Sequence, residues 1–365
     1  MEKIKVLVVD DTIVYRKIVS DVLKEMPEIE VIGSANNGKI ALSRIASLKP
    51  DLVTLDIEMP EMSGIEVLEH LKDNSDAPGI VMLSTLTKKG SEMTIKALEL
   101  GAFDFIPKPD AGTMAENLIK VKESLEPVIK AFKRQKKLRI KLQGKFPGKT
   151  TPLKPVIKAS SHEKRFRGKI RKSASEIIAI GISTGGPNAL AKMVPMLSPK
   201  LNVPVLVVQH MPPLFTASLA KSLNAKCPLE VKEAVNGEPV LPNRMYIAPG
   251  GKQMKIIAGA DGKTRNIKIT DDPPENSCKP SADYLFRSVS EHYIGRATGV
   301  IMTGMGSDGT KGLDLMKKNG SFVIAQNQET CTVYGMPKAP IETGLSDIIV
   351  PLDKIADEIN KTVKK

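Results

Sequence analysis

Ile4–Val9 is the first of a series of short, almost wholly apolar runs that end in acidic or polar residues. Ile29–Gly33, Leu52–Asp56, Ile80–Leu83 and Phe103–Ile106 follow it, and the stretches between them carry apolar residues at helical spacing. Short continuous apolar runs suit strands buried on both faces. Their alternation with amphipathic helices predicts a doubly wound α/β unit with a parallel sheet. Pro27, Pro50 and Gly101 close the intervening helices. This pattern fills residues 1–125 and then stops. A second alternation begins at Ile177–Ile180 and continues through Val203–Val208, Thr298–Met302 and Phe322–Ala325. Within it, Leu229–Thr270 is rich in strand and turn residues, which predicts a β-rich excursion with antiparallel pairing beside a mostly parallel sheet. The expected fold class is α/β, with two doubly wound domains at 1–125 and 173–365.

The chain's 365 residues exceed one ordinary core, in keeping with two domains. A net charge of +13 changes the picture only locally. Lys130 to Lys172 holds 17 Lys or Arg residues against one acid, Glu163, so that segment alone carries +16 and the remainder is left at −3. With Pro147, Pro152, Pro155, Gly144, Gly148 and Gly168, residues 126–172 read as a basic linker. Its first part, Glu126 to about Lys141, is equally suited to extend the preceding helix. The aromatics here are Phe132, Phe146 and Phe166, and no helix-turn-helix signal follows, so a solvated tether is expected rather than a nucleic-acid-binding segment. Ile4–Val9 is too short for a signal-peptide core, and no apolar run approaches the roughly 20 residues of a membrane span. Cys227, Cys278 and Cys331 are odd in number and far apart, which suggests neither a disulfide framework nor a zinc motif. A cytoplasmic protein is expected.

Ligands gather at the carboxyl ends of strands in open parallel sheets. In the first domain those ends carry Asp10 and Asp11, Asp56, Ser84 and Lys108. A single aspartate in such a place is most often a turn or N-cap residue. Three carboxylates at one edge, however, repel one another and call for a hard cation with oxygen ligands, which Mg²⁺ fits. Together with Lys108 such a cation neutralises charge on a phosphoryl group attacked by a carboxylate.

The second domain opens with Gly181-Ile182-Ser183-Thr184-Gly185-Gly186, between an apolar strand and a helical stretch from Asn188 to Leu197. A serine on such a turn has backbone N–H groups and a helix dipole suited to an anionic intermediate; the same glycines also suit a phosphate-binding turn. Of the four histidines, His70 falls in a helix of the first domain, His162 in the basic segment, and His292 at the end of an amphipathic stretch. His210 directly follows Val205–Gln209, at a strand's carboxyl end, and Val300–Met302 leads through Thr303-Gly304-Met305-Gly306-Ser307 to Asp308. If these strands are parallel, Ser183, His210 and Asp308 meet at one edge as nucleophile, general base and imidazolium-orienting carboxylate. Their order differs from the Ser…Asp…His order of α/β-hydrolases. Gly304-x-Gly306-x-x-Gly309, with Glu329 twenty residues on, also matches a dinucleotide-binding fingerprint, a reading that leaves Ser183 and His210 without roles.

Residues 1–125 resemble the response-regulator receiver domain through VLVVDD, LDIEMPEMSG, VMLST and the pair Lys108-Pro109. Residues 177–350 are similar to the catalytic domain of the chemotaxis protein-glutamate methylesterases, the CheB family. GISTGGP, VLVVQHMPPLFTASLA, YIAPGG, PSADYLFRSVS, GVIMTGMGSDGTKGL and AQNQETCTVYGMPKAP carry that resemblance. The first implies a five-stranded, flavodoxin-like receiver in which Asp56 is the phospho-acceptor and Asp10, Asp11, Asp56 and the Glu58 carbonyl surround Mg²⁺. It makes Ser84 the hydroxyl that senses the phosphoryl group, Phe105 the aromatic switch and Lys108 the phosphate contact, with the Lys108–Pro109 bond cis. The second implies a serine hydrolase with Ser183, His210 and Asp308 as its triad, Met305 and Thr184 near the oxyanion site, and no cofactor. The implied reaction is demethylation of glutamate methyl esters, and deamidation of glutamines, on methyl-accepting chemotaxis receptors through an acyl-enzyme. A chemotaxis histidine kinase is the implied phosphodonor. The basic segment would at most draw the enzyme toward anionic lipid beside the receptors. Three departures from the family pattern stand out: Ile182 replaces a small residue, Gln253 stands where many members have histidine, and the linker is longer and more basic.

Overall fold

The computed structural model of the chain describes residues 3–74, 76–109, 111–143 and 173–363. In the first domain β1 (Ile4–Val9), α1 (Ile13–Lys24), β2 (Ile29–Ala35), α2 (Gly38–Leu48), β3 (Leu52–Asp56), α3 (Gly64–Leu71), β4 (Gly79–Ser84), α4 (Lys88–Glu99), β5 (Asp104–Pro107) and α5 (Met114–Gln143) alternate strictly. The strands form one parallel sheet in the order β2-β1-β3-β4-β5, as the alternation predicts. Every residue of β3 is buried, because helices cover both faces. The strand order reverses between β1 and β3, which brings Asp10 and Asp56 side by side at the carboxyl edge. A capping box fixes the start of α3: the Ser63 side chain accepts from the Glu66 N–H, and Glu66 accepts from that of Ser63. The next residue, Gly64, lies so close to the Asp56 carbonyl that a Cβ would stand 2.1 Å from it, so the turn presenting Asp56 admits no side chain there.

Residue 126, where the linker was expected to begin, lies inside α5. Val128, Ile129, Ala131 and Phe132 are buried, with Phe132 edge-on to Phe103 at 5.5 Å. Lys133 and Lys136 pair with Glu28 at 3.5 Å and Asp51 at 2.5 Å. Burial of these four side chains offsets the roughly 3 kcal/mol that Pro127 costs in a helix interior. The first basic residues of the segment therefore cover the sheet's flank. Residues 144–172 lie outside the described residues.

The second domain runs β6 (Ile177–Ile182), α6 (Gly186–Met193), a 3₁₀ turn (Val194–Met196), β7 (Val205–Gln209), α7 (Phe215–Asn224), β8 (Glu230–Glu233), β9 (Arg244–Ile247), β10 (Gln253–Ala258), β11 (Arg265–Thr270), α8 (Ala282–His292), β12 (Ala297–Ile301), α9 (Thr310–Lys318), β13 (Phe322–Gln326), α10 (Lys338–Glu342), β14 (Ile348–Val350) and α11 (Leu352–Val363). Its seven-stranded sheet, ordered β14-β13-β12-β6-β7-β9-β8, is parallel at every pairing. Within the β-rich excursion, β8 and β9 extend that sheet in parallel, and β10 and β11 form the antiparallel hairpin. β6 is buried throughout, packing Ile178, Ile180 and Ile182 toward Leu190 and Met193, and Ile177 and Ala179 toward Leu285 and Phe286. The strand order turns about β6, so the loops after β6, β7 and β12 open onto one edge. Among the described residues no helix is long and apolar enough to cross a membrane.

Candidate active site

Ser183 leaves the end of β6 with its N–H bonded to the Thr303 carbonyl at 3.0 Å, and His210 leaves β7 with its N–H bonded to the Ile182 carbonyl at 3.2 Å. Gly304 closes this arrangement: a Cβ there would stand 2.7 Å from that of Ser183. Three strand ends are thereby knitted by backbone hydrogen bonds before any side chain acts. His210 Nε2 and Asp308 Oδ2 are 2.8 Å apart. Asp308 is buried and fully partnered, accepting from Ser281 Oγ at 2.7 Å, Asn276 Nδ2 at 2.9 Å and the Ala282 N–H at 2.6 Å. Burial opposes its charge, but the His210 hydrogen bond and these donors outweigh that and hold the carboxyl well below the usual range. On His210, burial opposes the proton while the Asp308 and Cys278 contacts favour it, and the imidazole is pushed up to about 9. The ring's other nitrogen, Nδ1, faces Cys278 Sγ at 3.6 Å. Among the described residues no hydrogen bond joins Ser183 Oγ to His210, so the edge gathers the three expected residues but links only two of them.

Thr184 and Met305 stand on the same edge. The Thr184 carbonyl accepts from Thr303 Oγ1 at 3.0 Å, and Met305 is partly buried. Sequence reasoning passed over Asn276, Ser281 and Cys278, although the segment holding Ser281 had been singled out. Their tie to Asp308 and His210 spans 27 to 68 residues of chain, and no local spacing reports it. Gln253 receives the Ser281 N–H at 2.8 Å and donates to the Pro273 and Cys278 carbonyls at 3.1 and 3.3 Å. It thus secures the loop that carries Asn276 and Cys278.

In the first domain Lys108 Nζ lies 2.7 Å from Asp10 Oδ2 and 2.6 Å from Asp56 Oδ2, all three groups being buried. Carboxylate oxygens of Asp10, Asp11 and Asp56 lie within 4.8 Å of one another, a spacing that suits a small oxygen-ligated cation. Burial, with further upward pressure from Asp10 and Asp11, overcomes Lys108 and pushes Asp56 up to about 6. Burial works against the Lys108 charge, but Asp56 and Asp10 prevail and hold the ammonium above its ordinary range. The Lys108–Pro109 bond, expected cis, is not: among the described residues the cis bond is Lys279–Pro280. Lys108 reaches the carboxylates without it. Ser84 Oγ donates to the Gly90 carbonyl at 3.2 Å and accepts from Thr94 Oγ1 at 2.6 Å, so it is held by α4. The Glu58 side chain turns outward and pairs with Lys89 at 2.7 Å.

Residues 178–359 match the family model described as CheB methylesterase, and residues 6–119 match the response regulator receiver domain. A protein-glutamate methylesterase/protein-glutamine glutaminase of Desulfotalea psychrophila is 58% identical over 364 residues, covering 100% of both chains. Its counterpart in Bacillus subtilis is 46% identical over 99% of each. The chain belongs to the CheB methylesterase family. The crystal structure of the Thermotoga maritima CheB methylesterase catalytic domain is 40% identical, covers 52% of this chain and 99% of that one, and aligns with a TM-score of 0.50.

The receiver packs on α6 and α7 of the methylesterase domain, beside the strand edge that carries Ser183 and His210. Its α4 packs along α7: Ser91 Oγ meets Ser218 Oγ at 2.7 Å, both buried, and Glu92 and Glu99 pair with Lys221 at 2.9 Å and Lys226 at 2.6 Å. Asn188 Nδ2 donates to the Ala102 carbonyl at 3.4 Å. Phe105 stacks on Phe215 with ring centroids 4.5 Å apart. Burial pushes Asp104 up to about 6 despite the hydrogen bond it takes from the Phe105 N–H at 2.9 Å and the favourable influence of the Thr184 side chain.

Proposed function

We propose that this chain is a protein-glutamate methylesterase and protein-glutamine glutaminase whose serine centre is held at rest by its own receiver. The observation that carries the reading is the His210–Asp308 pair at the strand edge that also bears Ser183, in a chain of this family. Residues 1–125 act as the sensor, 126–172 as the connection and 173–365 as the hydrolase. Ser183 is the nucleophile and His210 its general base, with Asp308 fixing the imidazole. Ser183 Oγ attacks the side-chain carbonyl of a methylated glutamate on a methyl-accepting chemotaxis receptor. Backbone N–H groups near Thr184 and Met305 hold the oxyanion, each worth about 2.7–4 kcal/mol. Methanol leaves with the imidazolium proton, and water then releases glutamate; a glutamine loses ammonia by the same route.

The docked form is the resting form. Receiver helix α4 covers α7, and Phe105 covers Phe215 beside His210, so the docked receiver restricts the approach of a substrate to this edge. Asp56 is the phospho-acceptor, with a chemotaxis histidine kinase as donor. The carboxylates of Asp10, Asp11 and Asp56 fit Mg²⁺, which when bound would neutralise charge at the phosphoryl group. Lys108 leaves its present partners for the phosphoryl oxygens, Ser84 turns from Gly90 toward them, and Phe105 shifts against Phe215. Receptors at the membrane's cytoplasmic face are the site of action. A serine-reactive probe tests the chemistry: labelling of wild type but not Ser183→Ala, in parallel with methanol release from methylated receptor, supports it. Labelling without methanol release sinks the substrate assignment, and unlabelled but active enzyme sinks the serine.

A further inference from the structure

Cys278 is one of three free, half-buried thiols, and its surroundings set it apart. Burial pushes the Cys227 thiol up, and burial followed by Glu329 pushes Cys331 up to about 12, so both are poor ligands and poor nucleophiles. Cys278 instead lies in the catalytic cleft, with Sγ 3.6 Å from His210 Nδ1 and 3.4 Å from the Asn276 carbonyl oxygen. The loop that brings it there is specially shaped. Asn276 and Ser277 both take left-handed backbone angles, φ 51° and 62°, and Gln253 holds the Cys278 carbonyl. Consecutive left-handed non-glycine residues are costly and persist only where surrounding contacts impose them.

We propose that Cys278, His210 and the Asn276 carbonyl form an inhibitory site for a borderline-soft divalent cation of the Zn²⁺ class, laid over the catalytic centre. On a tetrahedral zinc with Zn–S of about 2.3 Å and Zn–N or Zn–O of about 2.0–2.2 Å, ligand atoms stand about 3.5 Å apart. Both sulfur distances here match that separation before any ion enters. The far side of the imidazole is already built as metal-binding histidines require: Nε2 is held by the Asp308 carboxylate, which its other donors fix in place. A thiolate sulfur, an imidazole nitrogen and one carbonyl oxygen form a set that selects zinc over Mg²⁺. The carboxylate cluster of the receiver has the opposite preference. The donors come from segments 68 residues apart, which is why cysteine spacing gave no metal motif. Binding releases two protons to solvent, one from the thiol and one from Nδ1 of the imidazolium, and occupies the imidazole nitrogen not bonded to Asp308, so the base is unavailable to Ser183. This regulatory role rests on the serine esterase reading; the metal site itself does not.

The test uses the full-length chain in excess Mg²⁺, which occupies the receiver carboxylates. Co²⁺, a spectroscopic stand-in for Zn²⁺, is titrated while thiolate-to-metal charge-transfer absorption is followed, and methanol release is measured against added Zn²⁺. Wild type is expected to develop the band and to lose at least about tenfold of its rate. In Cys278→Ser and Cys278→Ala the band should vanish, and at least about tenfold more Zn²⁺ should be needed for the same fractional inhibition. Ser183→Ala should keep the band, so a failure of the esterase reading leaves the metal result standing. Absence of the band in wild type, its persistence in both Cys278 variants, or unchanged zinc sensitivity in them overturns the proposal.

Discussion

Phe105 and Phe215 stack across the two domains at 4.5 Å, their planes 27° apart. Phe215 is fully buried and opens α7 five residues after His210, while Phe105 lies in β5 three residues before Lys108. One aromatic contact therefore joins the strand that ends at the Asp56 site to the segment that carries the imidazole. A phosphoryl group can shift the docked form only by the free-energy difference it makes between docked and released states, and on the proposed reading this contact would carry part of that difference.

The buried hydroxyl pair Ser91–Ser218 offers a way to part the domains without touching either site. Ser91→Arg places a long cation where two serines meet out of water, a change that typically costs a few kcal/mol. Methanol release by the unphosphorylated enzyme should rise severalfold, while phosphorylation of Asp56 proceeds as in wild type. An unchanged basal rate would remove α4 from the inhibitory contact.

Ser183→Ala and His210→Ala should each cost on the order of 10⁴-fold or more in turnover, and the double variant little beyond either alone, because the residues act as one unit. Asp308→Asn should be milder in kcat but should also release Asn276 and Ser281 from a charged acceptor. Steady-state kinetics of the four variants checks this; a tenth of the activity surviving in Ser183→Ala contradicts the nucleophile.

The pH dependence has a fixed sign. A base must be neutral, and His210 is pushed up to about 9, so the unphosphorylated enzyme should gain rate as pH rises toward 9. The same raised value means that the imidazolium contributes stability below the ordinary histidine pKa of about 6.5, lost as pH rises through about 9. In Asp308→Asn the rate profile should move toward lower pH, since the largest support for the proton is gone. A kcat/KM profile flat from neutral pH to 9 would contradict the assignment of His210 as base.

Much of this was legible in the residues. The apolar runs place each sheet's principal strands, and the polar residues that end them, Asp10, Asp56, Ser183 and His210, converge because the strands are parallel. Two things were hidden. Asn276, Ser281 and Cys278 reach the site through a loop whose contacts are all long-range, and periodicity carries no trace of such contacts. The docking of α4 on α7 depends on Ser91 and Ser218, which read as ordinary polar residues on two amphipathic helices until the helices meet. Charge also misled locally: Lys133 and Lys136, counted with the basic segment, are neutralised by Glu28 and Asp51.

At the receiver, Asp56 is pushed up to about 6 by burial and then by its carboxylate neighbours, and only its ionised form attacks phosphorus. Phosphorylation from a small-molecule donor should therefore fall as pH drops through about 6, vanish in Asp56→Asn and weaken in Asp11→Ala. Mg²⁺, held by the same carboxylates, should move that midpoint lower. Stable phosphoprotein from Asp56→Asn, detected by intact-mass spectrometry, would refute the acceptor.

The most direct test of receiver inhibition compares the fragment 173–365 with the full-length chain. The corresponding domain of the Thermotoga maritima relative was crystallised on its own, so the fragment is a reasonable folding unit. Methanol release from methylated receptor is measured for both, with and without phosphodonor. The unphosphorylated full-length enzyme should be slowest, phosphodonor should raise it toward the fragment, and the fragment should not respond. A fragment no faster than the unphosphorylated full-length chain would contradict inhibition by the docked receiver.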